Sequence, residues 1–280
     1  MKSLAFGLGS IVAIVSSPLV NEAAVVDMRL YHLGEADPGA LPLADGKPVT
    51  VDSAAGVNAN KVGLTSYNGT SGGGPPVGVG IAPGSTMSMR FQNVDSRYEA
   101  PVVGGLVDNF GMEAYIQPQT IADARPFYNG GDGTPLDALT DGFGLTISGG
   151  HYVATLGGVG TIPTGVAVVP GKPVEMALVS SGGLFTVYID DLAKGALALP
   201  SLPVIATDKL SIGNFNATPP GFAGVVDEAR VFTFAPGAFN PSTDLGGAAV
   251  PEPTTMMQLV SAFLVFGAFR LRWWRRAAVG

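Results

Sequence analysis

The chain has 280 residues, which is room for one large domain plus targeting segments, and it contains no cysteine. The absence of cysteine excludes disulfides, thiolate chemistry and cysteine-based metal sites. Forty glycines and 22 prolines beside only 13% charged residues favour short strands and many turns over long helices. Residues 25–249 carry 10 Lys and Arg against 20 Asp and Glu, and a body this acidic is not expected to bind nucleic acid.

The N-terminus is typical of a signal peptide, which is predicted over residues 1–24. One positive charge at Lys2 precedes an apolar run from Leu4 to Val15. The run is too short to span a bilayer but has the length of a signal-peptide core. A buried apolar helix is the alternative, and the cleavage point is left open between Ser17 and Ala24.

Residues 25–246 are predicted to form one all-β domain. The segment Thr86–Gln92 alternates apolar and polar residues, as a half-buried strand does. Two Gly-Gly pairs, at 149–150 and 182–183, separate strand-like segments and predict two-residue hairpins. The last strand is predicted over Val225–Phe232. Because the body shows no sustained helical periodicity, the expected fold is a two-sheet antiparallel jelly-roll sandwich.

Residues 247–280 combine three pieces in a fixed order. A linker with Pro251, Glu252 and Pro253 occupies 247–254, a transmembrane helix is predicted over 255–271, and a basic cluster lies within 270–276. The uncharged run with its flanks offers about 18 residues, inside the range of roughly 17 to 25 that a membrane-spanning helix needs. Positive residues beyond the helix predict that this end stays in the cytoplasm. The basic cluster consists of Arg270, Arg272, Arg275 and Arg276.

This order of pieces resembles the PEP-CTERM sorting tail of Gram-negative bacteria. The resemblance implies export, transient retention in the inner membrane through the helix, and processing near Pro251–Pro253 by an exosortase. The location that it implies for the product is the cell surface or the extracellular space. The alternative is a C-terminal anchor that is never cut, which would leave a permanently membrane-anchored surface protein. In both cases the residues before Val250 are expected outside the inner membrane.

The body, in turn, resembles the LamG-like jelly-roll domain of the concanavalin A-like lectin and glucanase superfamily. Four pieces in the family's order carry the resemblance, which covers most of residues 29–235 and implies a binding or structural domain. In the second piece Tyr115 stands where the family usually has Trp. The pieces are Tyr31–Glu35, Phe110–Pro118, the hairpin Val174–Val179 with Phe185–Asp190, and Leu210–Gly213 followed by Gly224–Phe232.

The closing strand places an acidic residue among apolar ones. With a period of two, Asp227 is predicted to share a face with Ala229 and Val231. A carboxylate in such surroundings must be satisfied, either by loop N–H groups or by a cation. Glu228 and Arg230, on the other face, are expected to form a surface ion pair.

A calcium site is the cofactor that the resemblance implies, because some LamG domains bind calcium through aspartates and carbonyls. The candidate ligands are Asp95, Asn214 and Asp227. Without calcium, no cofactor is expected. The two histidines, His32 and His151, are far apart in sequence and suggest no zinc site.

Glycan binding is the alternative function, as a recognition module for exopolysaccharide that is calcium-dependent or not. Ala124–Asp132 is predicted as a loop, and its candidate ligand-binding residues are Arg125, Tyr128, Asn129 and Asp132. Both tryptophans of the chain lie in the tail, so the domain lacks the ring most favoured for stacking on sugars. Aromatic residues that fill a sandwich core would account for most of its tyrosines.

Hydrolysis is not expected, although glucanases share this fold. Retaining enzymes need two carboxylates about 5–5.5 Å apart, and the Glu-x-Asp-x-x-Glu pattern of the jelly-roll glucanases is absent. Glu113 and Glu175 each stand alone on their predicted strands. Because a fold does not carry function by itself, the sequence predicts no catalytic residues, and we expect an exported surface or matrix protein that binds or builds.

Overall fold

A computed structural model of the protein describes residues 25–74, 77–92, 95–130, 141–201, 209–214 and 221–246. The predicted signal peptide (1–24) and the predicted sorting tail (247–280) lie outside these residues. Within the described ranges, no helix is long and apolar enough to cross a membrane.

Two eight-stranded sheets contain almost all of the described strands, and every described strand pair is antiparallel. The strands of sheet A are β1 (Val26–Tyr31), β4 (Thr65–Tyr67), β7 (Met89–Phe91), β9 (Phe110–Pro118), β14 (Val174–Ser181), β15 (Leu184–Ile189), β16 (Leu192–Ala198) and β18 (Gly224–Thr233). The strands of sheet B are β2 (Val49–Thr50), β3 (Ala59–Val62), β8 (Arg97–Pro101), β10 (Ala124–Asn129), β11 (Phe143–Ser148), β12 (His151–Leu156), β13 (Gly160–Ala167) and β17 (Lys209–Ile212). A small hairpin, β5 (Gly69–Thr70) with β6 (Val77–Gly78), and the short helix α1 (Pro241–Asp244) are the remaining elements.

In space, sheet A runs β16-β15-β14-β9-β18-β7-β4, with β1 also paired to β18, and sheet B runs β13-β12-β11-β10-β17-β8-β3-β2. The prediction of an all-β antiparallel sandwich is therefore confirmed, in an arrangement consistent with a jelly roll. The predicted hairpins are confirmed as well. Gly149, Gly150, Gly182 and Gly183 all have positive φ, as the two central residues of a type I′ turn must.

The core lies between the two sheets and is rich in aromatic rings. On β9, Phe110 and Met112 are fully buried in this core, and Gly111 between them faces the outside of the sheet. The ring of Phe110 lies 5.1 Å from that of Phe143 on sheet B, so the pair joins the two layers. Aromatic contacts of this kind add to the burial of apolar area that stabilises a large sandwich.

A bulge in β18 changes the predicted direction of its side chains. The register against β9 shifts between Asp227 and Arg230, and Glu228 has a φ of +47°. Asp227 lies opposite Tyr115, on the outer face, whereas Ala229 and Val231 belong to the inner core. The prediction that Asp227 shares their face is therefore wrong, because one extra residue in the strand reverses the alternation.

After β18 the chain crosses the outer face of sheet A. Residues 234–246, which we call the C-terminal strap, include α1 and end at the last described residue. Phe234 and Leu245 of the strap are buried against Phe232 and Val179, which face outwards from the sheet. Sheet A is thus covered on both faces over this region.

Candidate functional site

Asp227 lies fully buried on the outer face of sheet A, beneath the loop that contains residues 81 and 82. Its Oδ2 accepts hydrogen bonds from the backbone N–H groups of Ile81 (2.9 Å) and Ala82 (3.1 Å). Its Oδ1 accepts the N–H of Glu228 at 3.0 Å. Loop amides therefore satisfy this carboxylate, which was one of the two solutions predicted for it.

Two further carboxylates approach Asp227. One ligand oxygen each from Glu35, Asp227 and Glu228 lie within 4.8 Å of one another, and we call these residues, with His32, the Asp227 cluster. Glu35 Oε1 accepts hydrogen bonds from three donors of residues 85–87, at 2.5 to 2.6 Å. The other oxygen, Glu35 Oε2, is buried and has no hydrogen-bond partner among the described residues. Glu228 Oε2 lies 2.7 Å from His32 Nδ1.

The pKa values reflect this crowding of negative charge. Burial, followed by the charges of Glu35 and Glu228, raises the pKa of Asp227 to about 8. Burial also raises the pKa of Glu35. Burial alone would lower the pKa of His32, but its hydrogen bond to Glu228 and the nearby carboxylates outweigh that effect and raise it.

The Asp227 cluster fits a hard divalent cation such as calcium. Carboxylate oxygens are the ligands that calcium prefers, and Glu35 Oε2 is a buried oxygen to which no group of the described chain donates. Glu35, Asp227 and Glu228 would hold such an ion, whose charge would offset the repulsion among them. Backbone carbonyls or water would have to complete the six to eight oxygens that calcium takes.

The other predicted calcium ligands lie elsewhere. Asp95 is exposed in the turn before β8, and Asn214 is buried after the end of β17 in sheet B. None of the hydrogen bonds of Asp227 in the described chain involves either of them. The set of Asp95, Asn214 and Asp227 stays a prediction, and the described structure brings Glu35 and Glu228 to Asp227.

A second acidic cluster lies on the same face of sheet A, and it contains its own cation. Glu113 Oε2 accepts two hydrogen bonds from Arg230, from Nε at 2.9 Å and from Nη2 at 2.6 Å. The two side chains are only 1% and 8% exposed. The predicted surface pair of Glu228 with Arg230 is wrong, because the bulge turns Arg230 towards Glu113 and leaves Glu228 beside His32.

Glu175 completes this Glu113 cluster together with Tyr115. Glu175 Oε1 and Glu113 Oε1 both accept the N–H of Gly246, at 3.0 and 2.9 Å. The hydroxyl of Tyr115 donates to Glu175 Oε2 at 3.2 Å. Burial, followed by the charges of Glu113 and Asp191, raises the pKa of Glu175 to about 8, which favours its neutral form.

The pairing of Glu113 with Glu175 was missed from the sequence. Each stands alone on its strand, but β9 and β14 are neighbours, and Glu175 lies opposite Tyr115, two residues from Glu113. Diagonal positions on one face of a sheet are within reach of long side chains. The signal that could have found the pair is the strand register, which a single-strand pattern does not contain.

Three of the four predicted glycan-binding residues, Arg125, Tyr128 and Asn129, lie on a strand. The expectation of a loop over Ala124–Asp132 is wrong for its first six residues, which form β10. The guanidinium of Arg125 lies 5.7 Å from the centre of the Tyr128 ring, and both side chains are buried, as is Asn129. Asn129 accepts the N–H of Val103 and donates to its carbonyl. Asp132 lies outside the described residues, and the glycan-binding role of the set stays a prediction.

Comparison with known families bears on most of the sandwich, from β8 onwards. Residues 93–238, more than half of the chain, match the family described as the concanavalin A-like lectin/glucanases superfamily. The chain belongs to the concanavalin A-like lectin/glucanase superfamily. The resemblance that the four sequence pieces indicated is thereby confirmed. No curated protein matches the chain.

Solved structures of other proteins have a similar fold. Domain 4 of AbnA, a GH43 extracellular arabinanase from Geobacillus stearothermophilus in complex with arabinotriose, is similar with a TM-score of 0.51 and 18% identity, over 79% of this chain and 97% of that one. The Trypanosoma rangeli sialidase in complex with the inhibitor DANA is similar with a TM-score of 0.50 and 16% identity. That match covers 78% of this chain and 32% of the sialidase. At these identities the similarity shows the fold alone.

Proposed function

We propose that this protein is an exported cell-surface or extracellular-matrix protein whose lectin-type sandwich is a binding or structural module and not an enzyme. In this proposal residues 247–280 act as a sorting tail that an exosortase processes. The observation that carries the non-catalytic part is the position of Glu113 and Glu175. They are a pair of neighbouring carboxyls such as a hydrolase uses, but they are buried under the C-terminal strap and share the N–H of Gly246.

The geometry of the strap also supports a role for the tail in delivery. Gly246 is held against the sandwich, and the Pro251–Pro253 motif follows only a few residues later in the sequence. A processing enzyme could therefore remove the tail without unfolding the sandwich, because the strap is part of the sandwich and the motif follows the strap in the sequence.

Mass spectrometry of the mature protein from wild-type cells tests this proposal. We expect a C-terminus near Pro251–Pro253 and an N-terminus between Ser17 and Val25. A matched variant in which Pro251 and Pro253 are both replaced by alanine should retain the membrane-bound tail. Recovery of the intact Arg276 end from wild-type cells would leave the anchored alternative and exclude sorting.

Carbohydrate recognition is the second candidate function. It is supported by the arabinotriose bound to the similar arabinanase domain. Arg125 and Tyr128 contact each other on sheet B but are buried, so a glycan would reach them only if the residues above them moved. A pull-down with the organism's exopolysaccharide, with calcium and with EDTA, tests it on the wild type and on Arg125→Ala. Binding that Arg125→Ala weakens supports recognition through this face, and no binding under either condition supports the structural role.

A further inference from the structure

The C-terminal strap is attached to sheet A by two kinds of contact. Its apolar half packs on the sheet: the ring of Phe239 stacks on Phe232 with centroids 6.3 Å apart, and Leu245 is 6% exposed. Its polar end is bound by side chains of three neighbouring strands, β14, β9 and β18. Arg230 Nη2 donates to the carbonyl of Asp244, and Gly246 donates its N–H to Glu113 and Glu175.

Two of the polar contacts share one donor, the N–H group of Gly246. Two carboxyl oxygens, Glu113 Oε1 and Glu175 Oε1, accept the hydrogen of Gly246 N. Two ionised carboxylates cannot occupy such positions without strong repulsion, because both are removed from water. One proton on the pair makes the arrangement stable.

The charges that surround Glu175 are mostly negative. Strand β9 contributes Glu113 and the hydroxyl of Tyr115. The turn between β15 and β16 contributes Asp190, whose Oδ1 accepts the N–H of Glu175, and Asp191. Among the described residues the cation at this site is Arg230 of β18, whose partners are Glu113, Asp27 of β1 and the carbonyl of Asp244 in α1. Its charge is thus already matched by carboxylates other than Glu175.

We propose that the polar end of the strap is a proton-dependent clasp: Glu175 holds Gly246 against sheet A while it carries a proton, and the strap detaches when Glu175 ionises. Ionisation creates a second buried negative charge beside Glu113, with Asp191 nearby. Detachment relieves the repulsion because it opens both carboxylates to water. The clasp therefore links the surrounding pH to the attachment of residues 234–246 to sheet A.

Hydrogen exchange measured by mass spectrometry on the full chain in detergent micelles tests the clasp. The readout is the protection of strap peptides (234–246) relative to the β11–β12 hairpin (143–156) at pH 5.5 and pH 8.5, after correction for intrinsic exchange. A carboxyl whose pKa is about 8 in the closed state and 4.5 in the open state predicts that opening increases roughly 200-fold between these pH values. Equal relative protection at both pH values would overturn the proposal.

Three variants assign the effect to Glu175. Glu175→Gln keeps the shape of the neutral carboxyl and cannot ionise, so its strap should be equally protected at both pH values. Asp191→Asn removes an exposed negative neighbour and should give a smaller increase in opening than the wild type; it also serves if Glu175→Gln does not fold. Glu99→Gln, in sheet B, is the matched control and should behave as the wild type. A full wild-type increase in Glu175→Gln or in Asp191→Asn would refute the assignment.

Discussion

Two acidic clusters lie side by side on the outer face of sheet A. Both contain carboxylates that are close together and removed from water, but different groups compensate their negative charge. In the Glu113 cluster, Arg230 binds Glu113 through two hydrogen bonds and the strap seals the site. In the Asp227 cluster, one oxygen from each of three carboxylates lies within 4.8 Å of the others, and the basic partner among the described residues is His32, at the edge of the cluster. Tyr115 separates the two clusters, since it lies opposite both Asp227 and Glu175.

The comparison shows that burial of a carboxylate does not by itself define a site. Where a guanidinium fork and backbone N–H groups saturate the oxygens, the carboxylate stabilises the fold and fixes the strap. Where an oxygen such as Glu35 Oε2 is buried and accepts no hydrogen bond from the part of the chain that the structure describes, the arrangement suits an external cation. The following predictions test this difference, in order of the size of the expected effect.

Removal of Glu113 should have the largest effect. Glu113→Ala leaves Arg230 as a buried charge without its main partner, and the expected loss is about 3–5 kcal/mol in the free energy of unfolding. Guanidinium chloride unfolding measures it. Glu99→Ala is the matched control, because Glu99 pairs with Arg97 and Lys209 at a more exposed position, and it should cost less than about 1 kcal/mol. Equal losses of unfolding free energy in the two variants would show that the pair of Glu113 with Arg230 is not buried as described.

Calcium should stabilise the protein through the Asp227 cluster. At a calcium concentration about 100 times the dissociation constant, the gain in unfolding free energy is about 2.7 kcal/mol. Thermal unfolding with calcium and with EDTA measures this gain, which Asp227→Asn and Glu35→Gln should abolish. Asp95→Asn should keep it. If calcium no longer stabilises Asp95→Asn but still stabilises Glu35→Gln, the ligand set predicted from the sequence would be favoured.

The stability of the protein should depend on pH through Glu175 of the Glu113 cluster. The pKa of Glu175 rises from 4.5 to about 8 on folding, so the folded state binds the extra proton. The stabilisation is therefore complete below about pH 4.5 and is lost as the pH rises to about 8, at a cost on the order of 2–3 kcal/mol after allowance for screening. Glu175→Gln should flatten this part of the profile in urea unfolding. A wild-type slope in Glu175→Gln would contradict the origin assigned to it.

Substitution of His32 should have the smallest effect. Its pair with Glu228 is partly exposed, with side chains 12% and 22% accessible, and such pairs contribute at most about 1 kcal/mol. We expect His32→Gln to change the unfolding free energy by less than that at pH 7, and to leave the calcium response in place. A loss as large as that of Glu113→Ala would mean that the imidazole is the main cation of the Asp227 cluster.

Much of the fold could be predicted from local patterns, and much of the site could not. Gly149–Gly150 and Gly182–Gly183 marked their hairpins, because positive φ at both positions is a local requirement that glycine meets. The edge strands β13 and β16 were not predicted. In β13, Pro163 interrupts the strand pattern, and edge strands tolerate such residues because they bond on one side only. For β10, its buried polar residues gave it the composition of a loop.

The sequence by itself determined the class of the fold and its family, because alternation and turn glycines are properties of short segments. It also determined that the carboxylate of Asp227 needs hydrogen-bond donors or a cation, because a buried charge is costly wherever it lies. The tertiary structure alone decided the partners. Glu113 meets Arg230 across 117 positions of the chain, and His32 meets Glu228 across 196. Such contacts depend on the order and register of the strands, and the bulge at Glu228 reversed the side-chain direction that alternation had predicted. Side-chain pairing between distant strands is set by packing, and no local pattern contains it.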